Sequence, residues 1–221
     1  MFVQASHNLR ENAWAFELAD RFEWLLGVIG WVDLKADDVR TALEHLSRHR
    51  RFKGVRHLVH TEANERWLLR PKVGAGLEAL GELGLSFDLI LQPKQFCHAP
   101  SVVAAHPRLQ FVLDHLGSPT GETLREWAQT LERLAGHENV TAKISGLARN
   151  VARHAIAIAF ETFGPNRLML GTDYPVCTLE APYSRVLATM LEALRGLAPN
   201  GLYSITTANA AHVYRLASDR A

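Results

Sequence analysis

A chain of 221 residues with 48% hydrophobic and 21% charged residues is long enough for a sizeable core and too apolar to be disordered. Its formal net charge of +1 gives neither nucleic acid nor an anionic membrane a reason to bind. Two distant cysteines, Cys97 and Cys177, make neither a disulfide framework nor a zinc ribbon, and no apolar run reaches bilayer-spanning length. The start, MFVQASHNLREN, has no signal-peptide pattern, so the expectation is a cytoplasmic protein with reduced thiols.

The predicted elements alternate along the chain. MFVQ (1–4) reads as a short strand and residues 6–26 as a helix. GVIGWVDL (27–34) is β-branched and aromatic, hence a strand. Residues 36–50 form a helix with Val39, Leu43 and Leu46 on one face. Acids at its start and Arg48, His49 and Arg50 at its end suit the helix dipole. KGVRHLVH (53–60) is a strand, 68–84 a helix stopped by glycine, and LSFDLILQP (85–93) a strand ended by Pro93. A short helix over 99–107 precedes LQFVLDHLG (109–117), the clearest strand. Residues 121–137 are an amphipathic helix, with Leu124, Trp127, Leu131 and Leu134 at helical spacing. NVTAKISGL (139–147) is a strand and 150–164 a helix. NRLMLGTDYP holds the last strand, followed by helices over 181–197 and 206–216.

Seven strands, each followed by a helix, imply a parallel sheet with right-handed crossovers. No compositional break divides the chain, so 1–221 reads as one domain. A doubly wound sheet would carry a Gly-rich phosphate loop after its first strand, and QASHNLREN is not one. The better reading is an α/β fold of the TIM-type (β/α) barrel class. Such a barrel normally has eight strands. Seven predict a distorted barrel lacking its first strand, with outer helices and with MFVQ and LMLG as the two edges of the sheet.

In these barrels chemistry gathers at the C-terminal ends of the strands. The polar residues there are Gln4, Asp33, His60, Gln92, Asp114, His115, Ser145, Thr172 and Asp173. His115 ends an apolar strand before a glycine turn; it either points into the barrel mouth or is a hydrogen-bonded buried histidine. Asp173 is either a base at that mouth or the cap of the next helix. Arg56 and His60 read as sharing one strand face. A buried arginine needs an anion, either a core acid such as Asp88 or a substrate. Gln92 is a substrate contact or a solvated loop amide. His45 and His49 have metal-ligand spacing but sit among Arg48, Arg50 and Arg51, a solvated basic face.

GWVDL, FKGVRHLVH with LLRP, LSFDLILQPKQ, HPRLQFVLDHLGSP, KISGL and FGPNRLMLGTDYPVC resemble, in order and spacing, a known family. It is the amidohydrolase superfamily, in its branch of sugar-lactone hydrolases and pyrone-dicarboxylate lactonases; FVLDHLG and LMLGTDYP are the specific pieces. The resemblance implies a distorted (β/α)8 barrel that hydrolyses lactones or related esters. Asp173 would take a proton from the attacking water, and His115 would polarise the carbonyl or ligate a metal. Arg56, His60 and Gln92 would bind the substrate. The implied cofactor is none, or one divalent ion, zinc foremost, at His115 and Asp173. The implied partner is a small lactone or ester, and a homo-oligomer is compatible. Three departures stand beside these matches. No His-x-His pair exists, the connection after KISGL is short, and Gln92 stands where an arginine is common. They leave two other readings, a metal-dependent amidohydrolase or decarboxylase of the same superfamily and a non-catalytic remnant acting as a binding or assembly protein.

Overall fold

The structure, a computed structural model, describes residues 1–147, 149–179 and 181–216. Its strands are β1 (Phe2–Val3), β2 (Val28–Gly30), β3 (Phe52–His57), β4 (Ser86–Leu89), β5 (Gln110–Leu113), β6 (Val140–Ile144) and β7 (Leu168–Leu170). Helices α1 (Leu9–Arg21), α2 (Val39–Ser47), α3 (Pro71–Glu82), α4 (Pro93–Phe96) and α5 (Ala99–Ala105) occupy the first four crossovers. They are followed by α6 (Leu124–Ala135), α7 (Arg149–Phe163), α8 (Tyr183–Leu197) and α9 (Asn209–Val213). Neighbouring strands pair in parallel, in the order β1 to β7, with β1 and β7 at the two ends. The sheet is a curled half-barrel of distorted TIM type, and its edges are the two expected segments. Among the described residues no helix is long and apolar enough to cross a membrane.

Several expected strands overrun their ladders. The segment 53–60 pairs only as far as His57, and a 3-10 turn, Val59–Thr61, then carries His60. Arg56 and His60 therefore do not share a strand face. The segments 85–93 and 109–117 stop at Leu89 and Leu113. Val59, Leu91 and Leu116 are nonetheless buried, so the apolar runs report burial, which outlasts pairing. The last helix divides into a π-helical turn, Ser204–Ala208, and α9.

The strand period of two separates two environments. Phe87, Leu89, Phe111, Leu113, Ala142, Ile144 and Leu168 join the main core under the helices. Inside the arc, Ile29, Val112, Met169 and Tyr214 form a small core of their own. Tyr214 arrives just after α9, which Asn209 ties to β7 by donating from Nδ2 to the Leu168 carbonyl at 2.7 Å.

Next to that core lies a row of charges. Lys143 Nζ is 2.5 Å from Asp88 Oδ2 and 2.8 Å from Asp114 Oδ1. Arg56 donates from Nη1 to Asp114 Oδ2 at 2.9 Å, from Nε to Gln4 Oε1 at 3.2 Å, and from Nη2 to the Gln4 carbonyl. The Tyr214 hydroxyl donates to Asp88 Oδ2 at 2.9 Å. The core acid that pairs with Arg56 is thus Asp114. Asp88 is its register neighbour on β4 but is taken by Lys143 and Tyr214. Burial alone would lift Asp114, but Lys143 and Arg56 outweigh it and hold its pKa at about 2. Burial pushes Asp88 up, against the pull of Lys143. Burial also works against the Lys143 charge, yet Asp114 and Asp88 raise its pKa well above the usual lysine value.

Removing one member of a buried ion cluster strands its partners, at a cost of about 3–5 kcal/mol. Lys143→Met should lose stability in that range in urea denaturation. A loss under about 1 kcal/mol would mean that water reaches Asp88 and Asp114.

Candidate active site

After β5 the backbone turns left-handed: His115, Leu116, Gly117 and Ser118 have φ of 54°, 52°, 75° and 57°. Each non-glycine residue in that region costs roughly 1–2 kcal/mol. Tertiary contacts hold the turn in place. Leu116 is fully buried, and Trp127 Nε1 on α6 donates to the Leu116 carbonyl at 2.6 Å. The sharp reversal lets adjacent residues serve different purposes. Asp114 joins the interior charges, while His115 faces the mouth.

His115 Nε2 lies 3.7 Å from Asp173 Oδ1, both side chains being partly buried. His115 Nδ1 is 2.9 Å from the hydroxyl of Ser145, which sits just beyond β6. Asp173 follows β7 with φ of 53°. It does not cap the next helix, since α8 begins only at Tyr183 and has Pro182 at its N-cap. Burial raises the Asp173 pKa, and His115 and Arg56 oppose that rise. The site also needs Gly146, whose φ is +56°. A Cβ there would lie 2.5 Å from His115 Nδ1 and 3.0 Å from Asp173 Oδ2. His60 has a buried Nδ1 without a partner among the described residues. Its pKa is lowered by burial first and then by Arg56 and His115, which keeps the ring neutral.

A histidine and a carboxylate thus meet at the C-terminal ends of parallel strands, where this class of barrel carries its chemistry. A family model described as amidohydrolase matches residues 2–216. The chain belongs to the amidohydrolase family.

This amidohydrolase is 29% identical to the L-fucono-1,5-lactonase of Burkholderia ambifaria, over 97% of its own length and 79% of the relative's. It is 30% identical to the L-fucono-1,5-lactonase of Burkholderia multivorans, over 86% of its length and 71% of the relative's. Among solved structures, an amidohydrolase from Burkholderia multivorans with bound zinc superposes with a TM-score of 0.89 at 27% identity. That match covers 97% of this chain and 82% of the other.

Two donor sets in this amidohydrolase bear on a divalent ion. At the mouth, His115 and Asp173 supply two donors where a catalytic zinc takes three from protein. The second set is His7, His57 and Glu62, whose ligand atoms lie within 4.8 Å of one another. Its hydrogen bonds argue against an ion. His7 Nε2 accepts the Leu58 N–H at 2.9 Å, and His57 Nδ1 accepts the Trp31 indole N–H at 3.2 Å. A neutral imidazole has one lone pair, and both are spent on donors that cannot turn away. His57 Nε2–H then donates to Glu62 Oε1 at 2.7 Å. Burial lowers the His57 pKa to about 4, against the pull of the Glu62 hydrogen bond, consistent with that neutral form. Neither set, taken by itself among the described residues, supplies the three protein ligands of a catalytic zinc.

The expected site residues divide clearly. His115 and Asp173 come together, with Arg56 below them and His60 on the rim. Gln92 does not join them. It is exposed ahead of α4, where its backbone N–H donates to Gln95 Oε1 at 3.1 Å. Lys143, Tyr214 and the His7–His57–Glu62 group were not foreseen. Lys143 did leave a signal, a cation at an alternate position of an apolar strand, NVTAKISGL.

His57 stacks between His7 and Trp67, with ring centroids 4.0 Å from each. Its folded pKa of about 4 lies below the unfolded value of 6.5. Between those values the unfolded chain binds more protons, so stability is full above about pH 6.5 and falls toward pH 4, by up to about 3 kcal/mol. Urea denaturation across pH 4–7 should show this slope in the wild type and a flatter one in His57→Gln.

Proposed function

We propose that this amidohydrolase opens a lactone ring, of the sugar-lactone class, by water attack with Asp173 as the base. The reading is carried by one observation, the approach of His115 Nε2 to within 3.7 Å of Asp173 Oδ1 at the mouth of a parallel half-barrel. The names of the two Burkholderia relatives support the substrate class.

Asp173 accepts a proton from water as the water oxygen bonds to the lactone carbonyl carbon. Its partly desolvated carboxylate is a stronger base than an exposed one while it remains ionised. His115 lies beside it to polarise the carbonyl oxygen. When the tetrahedral intermediate collapses, the ring C–O bond breaks and the departing alkoxide recovers the proton from Asp173, leaving a hydroxy acid. Arg56 has five guanidinium N–H groups, three of them used on Gln4 and Asp114. The remaining two are available to substrate oxygens, and His60 adds a neutral ring on the same rim.

On a panel of sugar lactones and cyclic diacid lactones, Asp173→Asn should lower kcat by about 10²–10⁴-fold with an unchanged near-UV circular dichroism spectrum. In the wild type, kcat/KM should fall as pH drops through the Asp173 pKa, which burial holds above the ordinary aspartate value of 3.8. Retained turnover in Asp173→Asn would assign the base to another group.

A further inference from the structure

Ser145 has no part in the proton transfers above, yet it is buried against the histidine they depend on. Its Oγ is 2.9 Å from His115 Nδ1, and this is the one hydrogen bond of that hydroxyl among the described residues. The two orientations of that bond are chemically different. If Nδ1–H donated to Oγ, the Ser145 O–H would be a buried donor with nothing to bond, at a cost of about 1–3 kcal/mol. If Oγ–H donates to Nδ1, every donor is used and only acceptor capacity is spare. The other side of the ring gives the same answer independently. Nε2 faces Asp173 Oδ1 at 3.7 Å, and an ionised carboxylate is acceptor-only. An Nε2–H is attracted to it, while an Nε2 lone pair is repelled. The space for this hydroxyl comes from Gly171, where a Cβ would lie 3.0 Å from Ser145 Cβ and 3.2 Å from its Oγ.

The geometry points to Ser145 as a positioning residue that donates to Nδ1 of His115 and keeps the proton of that ring on Nε2, so that His115 meets the substrate as a hydrogen-bond donor and not as an ion ligand. The kinetic consequence rests on the lactone-hydrolase reading; the tautomer itself does not. An N–H aimed at the carbonyl oxygen stabilises the oxyanion as it forms. A ligated ion at Nε2 would require the lone pair there, and would leave the Ser145 O–H unpaired.

The tautomer is read directly by long-range 1H–15N correlation NMR on the full chain labelled with 15N-histidine. Among the 11 histidines, His115 is assigned as the signal lost in His115→Gln. At neutral pH it should show protonated Nε2 and bare Nδ1; the reverse pattern overturns the inference, whatever the lactone panel gives. Ser145→Ala should yield a mixture of tautomers and lower kcat by about 10–100-fold with KM within about twofold. Ser145→Thr, which keeps the hydroxyl, should restore both the spectrum and kcat. A wild-type spectrum in Ser145→Ala, or Ser145→Thr behaving like Ser145→Ala, also overturns it. Should Ser145→Ala fail to fold, the wild-type spectrum decides alone. A correct tautomer with no turnover on any lactone would count against the substrate class and leave the assignment of Ser145 standing.

Discussion

Lys143 sits between two carboxylates inside a half-barrel, and much else follows from that arrangement. The interior of this arc is not filled by branched apolar side chains alone. A row of two cations and two anions runs from Gln4 through Arg56, Asp114 and Lys143 to Asp88 and the Tyr214 hydroxyl. Its formal charges cancel, so no net charge is buried. It also joins β1, β3, β4, β5 and β6 to the C-terminal segment through side chains, in a sheet whose two end strands do not meet. Ion clusters are poor sources of net stability, and in this one a shifted register would leave a charge bare.

That constraint reaches the site above it. Asp114 is fixed by Lys143 and Arg56, so the residue after it leaves the strand from a defined point. The left-handed turn then presents His115, and the Trp127 hydrogen bond keeps the turn from relaxing. Asp173 comes from the far edge of the sheet, on a second residue with positive φ. Two locally unfavourable backbones face each other across the mouth. Strain of this kind persists where surrounding contacts over-determine it, as the buried Leu116 does here.

The strand order was legible because each strand is an apolar run bounded by polar turns, and because βα alternation allows few topologies. His115 and Asp173 were legible for a related reason, since each is a polar residue closing such a run. What escaped depended on distance along the chain. Arg56 could be seen to need an anion, and Asp88 was the core acid expected, but Lys143 holds Asp88 and it is Asp114 that pairs with Arg56. His57 lies beside Arg56 in sequence, yet its partners are Trp31, Glu62, His7 and Trp67, drawn from three different connections. Tyr214 caps a terminal helix whose local pattern says nothing about the inside of the arc. His60 was misplaced because burial continued after pairing had stopped.

The missing Cβ of Gly146 leaves the room that His115 and Asp173 occupy, and its left-handed backbone would strain any side chain in its place. A glycine costs conformational entropy on folding, but at positive φ a side chain costs more, so backbone strain and the contacts of His115 and Asp173 both hold a glycine there. Asparagine, which tolerates positive φ, would still place its Cβ 2.5 Å from His115 Nδ1. Position 146 therefore ties the two halves of the mouth to one glycine: no side chain fits there unless His115 and Asp173 both move away.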